Sequence, residues 1–354
     1  MSYVTYVTYA TNGVPFKVDN HQFVTHISDF VFTIDTRNLS TGSSADNQFS
    51  LPIILNGSYN MTVDWGDNSS NVITAYNQAE ATHSYAIPGV HTVRITGQCR
   101  GWRFNNAGDK LKILNISNWG ADFRLATLTA AGGNYLQGCA NMTITAADKL
   151  DLTAAANLNS MFSGCTSLTT APTMALWDTS QVTIATAMFS GCAAFNQPIG
   201  SWNTAKVTSM SSMFGGCTKF NQPIGNWNTA NVTAMNSMFN GALAFNQPID
   251  SWNVSKVTGM DQMFTKTYAF KQNLGAWAPL ALTNANVMFY SSDMNAPGTT
   301  TLYDALLNGW AAQAVLNNVP FGAGSSKYSA AAADARSHLT TTHGWTITDG
   351  GLQT

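Results

Sequence analysis

Charge is what this sequence has least of. Asp, Glu, Lys and Arg make up 10% of the 354 residues, against roughly 25% in ordinary soluble domains. With 16 Lys and Arg against 18 Asp and Glu, no field gathers polyanions and no basic run occurs, which excludes a nucleic-acid footprint. Long apolar runs are also absent. Stretches such as Phe30 to Ile34 are strand-sized, and none approaches the ~20 residues of a membrane helix. The first residues, MSYVTYVTYATNGVPFKV, lack the basic start, apolar run and cleavage site of a secretory signal and any lipidation cysteine, so export by a signal peptide is not expected. The five cysteines show neither CxxC nor Cys/His metal spacing. Cys165, Cys192 and Cys217 share one repeated position that Ala242 also fills, which reads as a small buried site holding free thiols.

Catalytic signatures are missing as well. No GxSxG, HExxH, P-loop or helix-opening GxGxxG occurs, and the six histidines are scattered. Asp178, Asp250 and Asp261 fall on different repeats rather than pairing across a cleft, as glycosidase carboxylates must. Neither catalysis nor a cofactor is expected.

What is present is a repeat. Trp177, Trp202, Trp227, Trp252 and Trp277 recur every 25 residues, in step with Phe189, Phe214, Phe239, Phe264 and Phe289, each preceded by Met. Units of this length cannot bury their apolar faces alone and must stack, so these residues are expected to form ladders through a solenoid core. A buried Trp removes roughly 150–250 Å2 from water, worth about 4–6 kcal/mol at ~25 cal/mol/Å2, enough to hold a weakly charged chain together. Asn196, Asn221 and Asn246, and Asn203, Asn228 and Asn253, are expected to form amide ladders that satisfy turn backbone.

Five segments follow. Residues 1–27 form an arm of strand formers, YVTYVTYAT, ending at the turn signal Asn12-Gly13; the arm is either the first strand of the next domain or a strand donated to a neighbouring subunit. Residues 28–98 carry short alternating strands of a small β-sandwich. Residues 99–160 are a transition with degenerate turns, residues 161–295 are the repeats, and residues 296–354, with the helical pattern around Tyr303–Trp310 and the Ala-rich run from Tyr328, are a C-terminal cap. The fold class is mainly β: an immunoglobulin-like sandwich, then a leucine-rich-repeat-type solenoid, then a small α/β cap.

Two resemblances sharpen this reading. Val63-Asp64-Trp65-Gly66-Asp67-Asn68, Thr82-His83-Ser84-Tyr85 and Pro88-Gly89-Val90-His91-Thr92-Val93 resemble the WGDG, HxY and PGxYTV signature of the polycystic-kidney-disease (PKD) domain, departing from it at Asn68 and His91. That resemblance implies an immunoglobulin-like spacer or adhesive module without catalysis. Asp64 and Asp67 are candidates either for calcium or for the hydrogen bonds of their own turn. The units FNQPIGSWNTAKVTSMSSMFGGCTK and FNQPIGNWNTANVTAMNSMFNGALA strongly resemble the BspA-like leucine-rich-repeat family of bacterial and phage-encoded surface proteins. That resemblance implies a right-handed solenoid with a short strand per turn.

The expected function is a non-enzymatic structural and adhesive protein of a virion surface: a phage tail fibre, a receptor-binding component or a capsid-decorating component. The alternatives are a bacterial cell-surface adhesin and a polysaccharide depolymerase spike. Lys206, Asn231 and Lys256 are candidate binding positions for a host glycan or protein, because they vary among units that otherwise repeat. Other subunits of the assembly, or copies of this chain, are expected to bind through the N-terminal arm. Nucleic acid and membrane insertion are not expected.

Overall fold

The computed structural model describes residues 29–125, 132–295 and 299–354. The expected N-terminal arm, residues 1–27, lies outside the described residues. The chain is mainly β with few helices, and its sheets are not closed.

Strands form where β-branched and aromatic residues alternate with polar ones. These are β1 (Phe30–Asp35), β2 (Gln48–Ser50), β3 (Ile53–Asp64), β4 (Ser70–Ile73), β5 (Thr82–Ser84), β6 (Val90–Trp102), β7 (Ile113–Asn118), β8 (Phe123–Arg124) and β9 (Thr143–Ile144). In β3, Tyr59, Met61 and Val63 are buried while Asn60, Thr62 and Asp64 face out, the period of two that a one-sided sheet requires. The main sheet runs in the order β4-β3-β6-β1-β7-β9, with β8 paired to β6, and β2 and β5 form a separate pair. A bulge in β3 between Ile53 and Ser58 brings the Tyr59 ring across Gly57, where any Cβ would collide with it. The Tyr59 hydroxyl accepts from the Ile54 N–H (2.7 Å) and donates to the Gly101 carbonyl (2.8 Å).

The expected boundary between residues 98 and 99 falls inside β6. The expected transition region supplies β7, which pairs antiparallel with β1, and β8 and β9, which extend the main sheet in parallel pairings, Cys99 with Phe123 and Asn115 with Thr143. The buried apolar residues from Phe30 to Trp345 form one continuous cluster, so the sheet and the repeats share a core.

Beyond β9 the chain passes into stacked turns. Parallel bridges join Asn157, Ile184, Ser209, Ala234, Gly259 and Asn284 in succession. Each turn contributes one bridging residue where the sequence predicts a short strand. Strand geometry ends soon after each bridge at left-handed residues: Ser212, Ser237 and Gln262 at φ 56°, then Gly191, Gly216 and Gly241 at φ 75°, 73° and 71°. Around each bridge the amides alternate in direction. Thr233 N–H donates back to Thr208 (2.8 Å), and Met235 N–H donates forward to Gly259 (3.0 Å).

Like residues stack on like. The Trp202, Trp227 and Trp252 rings lie 6.5 and 6.4 Å apart at interplanar angles of 2° and 1°, and Phe189, Phe214, Phe239, Phe264 and Phe289 follow at 5.8, 5.7, 5.7 and 5.2 Å. Every buried indole N–H in the row from Trp202 to Trp277 donates to a carbonyl 28 residues earlier, as Trp227 does to Ile199 (3.1 Å). Trp177, at the start of the row, is buried and its N–H has no acceptor among the described residues. Asn196, Asn221 and Asn246 form the expected ladder, each side-chain oxygen accepting from the backbone N–H one turn on (3.0, 2.9 and 2.9 Å). Asn203, Asn228 and Asn253 do not. Each closes its own turn onto the N–H two residues ahead, the local hydrogen bond that a short amide side chain makes most readily.

The shared cysteine position proves to be a donor position. Cys165, Cys192 and Cys217 thiols point at the carbonyls of Leu136, Phe162 and Phe189 (3.1, 2.9 and 2.9 Å). Two and three turns on, the Thr267 and Ser292 hydroxyls serve the carbonyls of Phe239 and Phe264 (2.7 and 3.0 Å). Burial pushes the Cys192 thiol up to about 12, so it stays a protonated donor at neutral pH.

The C-terminal segment imitates one more repeat. Strand β10 (Pro320–Gly322) offers Pro320 and Gly322 carbonyls to the Ala285 and Phe289 N–H groups (both 2.9 Å). Trp310, on helix α1 (Thr301–Ala311), donates to Leu274 (3.2 Å), the carbonyl that a further Trp of the row would use. β11 (Thr346–Thr348) pairs with β10 in parallel. The Ala-rich run from Tyr328 onward does not form one continuous helix: helix α2 covers only Ala333–Ser337, between a 3-10 turn and a π turn.

Ala242 is the one member of the donor column without a donor, leaving the Phe214 carbonyl with the Cys217 N–H alone. Ala242→Cys is expected to raise the unfolding free energy in urea by about 0.5–1.5 kcal/mol, the net value of one buried hydrogen bond. An unchanged or lowered midpoint would mean that this column requires only small size.

Candidate functional site

The interior of the stack is filled by the Trp, Phe and Met rows, and other residues of the turns face outward. Val207 and Val232 point into the core, and the residues on either side of each point out. On one side Thr183, Thr208, Thr233, Thr258 and Thr283 form a row whose hydroxyls donate to the carbonyl of the previous turn (2.9–3.1 Å). On the other side the structure brings the three candidate binding residues into a single row. Lys206 Nζ donates to Gln181 Oε1 (2.8 Å), Asn231 Nδ2 to the Ala205 carbonyl (2.9 Å), and Lys256 Nζ to Asn231 Oδ1 (2.9 Å). All three are exposed. The result is two ammonium groups two turns apart, held by neighbouring amides beside the Thr row. Such a row presents cations and hydroxyls in a fixed repeat. Two other variable positions are also exposed and also bond to the previous turn: Ser201 and Ser251 donate to the Ala175 and Gly225 carbonyls (2.6 and 2.9 Å).

The ladder residues Trp177 to Trp277 and Phe189 to Phe289 are all buried and support the face without reaching it. Asp178 accepts from the Ser180 N–H of its own turn (2.9 Å), apart from Asp250 and Asp261 in later turns.

Asp64 and Asp67 hold the turn between β3 and β4. Asp64 Oδ1 accepts from the Gly66 N–H (2.9 Å), where Gly66 adopts φ 79°. Asp67 accepts from Ser69 N–H and hydroxyl (3.0 and 2.6 Å) and contacts His83 Nε2 (2.8 Å). His83 is stacked on Trp65 (4.8 Å, 9°), and Tyr85 on His91 (3.7 Å, 16°). Among the described residues no group of three His, Cys, Asp or Glu is placed to hold a metal ion, and no helix is long and apolar enough to cross a membrane.

One buried ion pair gave no sequence signal. Asp109 and Lys112 have fully buried side chains 3.3 Å apart. Lys112 Nζ also donates to Ser44 Oγ and to the Ala45 and Gln48 carbonyls (2.8, 2.8 and 2.7 Å), and Asp109 accepts from Ser44 N–H and hydroxyl and from Ser50 N–H (2.8, 2.6 and 2.7 Å). Burial pulls the Lys112 ammonium below its usual range, against the attraction of Asp109. In sequence, Asp109-Lys110-Leu111-Lys112 reads as an exposed charged turn; only the fold places two of its charges inside, where they fasten the 44–50 loop. A cleft of about 270 Å3 beside it is lined by Ser44, Ser50, Arg103 and Phe104.

One comparison with known families covers the stack. Residues 133–229 and 201–301 match DUF285, a family described as a Mycoplasma protein of unknown function. The two matches overlap by more than one turn, as expected when units are interchangeable. The DUF285 matches begin after β8 and include the whole Lys206–Lys256 row. No curated protein and no solved structure matches the chain.

The turn around Asp67 should be visible in acid. Partial burial opposes ionisation of Asp67, but the Ser69 and His83 hydrogen bonds outweigh it and hold the carboxyl at about 2. The unfolded value is ~3.9. A lowered folded value contributes stability above the unfolded one and loses it as pH falls through the folded one. Melting temperature should therefore fall between about pH 4 and pH 2, and Asp67→Asn should lower stability at neutral pH and flatten that decline. Superimposable pH profiles for the two proteins would refute the assignment.

Proposed function

We propose that this chain is a non-enzymatic structural and adhesive protein of a virion surface, as a tail fibre, receptor-binding component or capsid decoration. It binds host-surface glycan or protein through the outer face of a leucine-rich-repeat-type solenoid of the BspA-like kind. The observation that carries the reading is the exposed row of Gln181, Lys206, Asn231 and Lys256, fixed turn by turn by its own hydrogen bonds. Rigid repetition suits weak contacts that add up across many copies. The sheet that precedes the repeats serves as an immunoglobulin-like, PKD-type spacer. The aromatic arm Tyr3–Thr11 carries attachment to other subunits of the assembly, and the reading requires no cofactor.

A second reading, a bacterial cell-surface adhesin, is favoured by the DUF285 description, which names a bacterial source for the matching repeats. Both readings use the same face. The fluorescently labelled chain should adhere to cells in a panel of intact bacteria, and Lys206→Ala with Lys256→Ala should reduce adhesion several-fold without changing the melting temperature. Adhesion to no member of the panel, or turnover of envelope glycan by the purified chain, would overturn the adhesive reading. Unfolding of the double variant would make the row structural.

A further inference from the structure

The last full turn departs from those before it. Where earlier turns carry Gly191, Gly216 and Gly241 in the left-handed region, this turn has Lys266 at φ 57°. Two residues on, in the column of Ala193, Thr218 and Leu243, stands Tyr268, and in the next turn Tyr290 occupies the column of Gly215 and Asn240. Backbone bonds hold these residues together: Lys266 N–H donates to the Tyr290 carbonyl (3.0 Å) and Ala269 N–H to the Leu243 carbonyl (3.3 Å). Tyr268 and Tyr290 are 54% and 57% exposed and Leu243 is 40% exposed. Lys266 is exposed, and its ammonium has no hydrogen bond or ion pair among the described residues. The carboxylate of Asp293, in the following turn, accepts from the Asn295 N–H instead (2.9 Å).

None of these choices serves the stack. A lysine in the left-handed region carries a conformational cost that glycine avoids, and each tyrosine leaves more than half of its surface in water. We propose that Leu243, Lys266, Tyr268 and Tyr290 form a binding site for an acidic saccharide, with the tyrosine faces stacking on the sugar ring and the Lys266 ammonium meeting its carboxylate. The proposal rests on the adhesive reading and assigns it a ligand class and a place. Tyrosine is a rigid, amphipathic contact that loses little freedom on binding. The single uncompensated cation selects a negatively charged ligand. A protein partner fits less well: a stable interface covers about 800 Å2 on each side, whereas this patch is a few side chains beside a strip of glycine Cα atoms.

The full chain is titrated with trigalacturonic acid and with maltotriose, followed by saturation-transfer NMR and calorimetry. Trigalacturonic acid is expected to bind with a dissociation constant on the order of 0.1–1 mM, and maltotriose several-fold more weakly. Tyr268→Ala with Tyr290→Ala should weaken uronate binding at least tenfold at unchanged melting temperature. Lys266→Gly should remove the preference for the acidic sugar and melt no lower than the native chain. The proposal is overturned if neither sugar binds, or if uronate binding survives in the tyrosine variant. It is also overturned if that variant loses adhesion to periodate-treated cells as much as to untreated ones, which would make the ligand a protein. Cell adhesion that persists in the tyrosine variant, with uronate binding undiminished there, would remove this site and leave the adhesive reading intact.

Discussion

A backbone group facing the next turn must find its partner there, and the rest of the structure depends on that requirement. Each turn of the stack is too short to satisfy its own amides and carbonyls, and buried polar groups left unpaired cost about 1–3 kcal/mol each. The solution is a register that never slips. Thr233 bonds back to Thr208 while Met235 bonds forward to Gly259, the indole N–H of Trp227 reaches Ile199, and a side-chain donor in the Cys217 column covers the carbonyl left over. Ring stacking at 5.2–6.5 Å follows from this register. Hydrophobic burial supplies most of the driving force, and hydrogen bonding decides which residue lies on which.

The same requirement shapes both ends. At the N-terminal side, β7 accepts β9 in parallel and so turns an antiparallel sheet into the first rung. At the C-terminal side, β10 and Trp310 stand in for the carbonyls and the indole of a turn that is not there. A stack so closed presents no raw edge at these places, and its sides are left free to carry polar rows. The adhesive reading grows from that division of labour between an invariant interior and a variable flank.

Much of this was legible in the sequence because stacking copies chemistry at a fixed interval. The Trp and Phe rows, the Asn196–Asn246 ladder and the clustering of Lys206, Asn231 and Lys256 all follow from the period. Three features were not legible. The donor role of the cysteine column is hidden by Ala242, which makes the position look merely small, until Thr267 and Ser292 are seen making the same bond. The continuity of the sheet with the repeats depends on β7 and β9, whose Asn115–Thr143 pairing joins segments without periodicity. The Asp109–Lys112 pair is invisible because local sequence cannot distinguish a charged turn on the surface from one that the 44–50 loop folds over.

Register can be tested by removing one unit. Deleting Phe220–Ala244 joins Lys219 to Phe245 and leaves every remaining turn facing a chemically equivalent neighbour. The account predicts a folded protein with a single cooperative melt and a modestly lower midpoint. Deleting only Phe220–Asn231, which shifts the rows out of step, should abolish that melt. Collapse of the whole-unit deletion, or a cooperative melt from the partial one, would contradict the claim that inter-turn register holds this protein together.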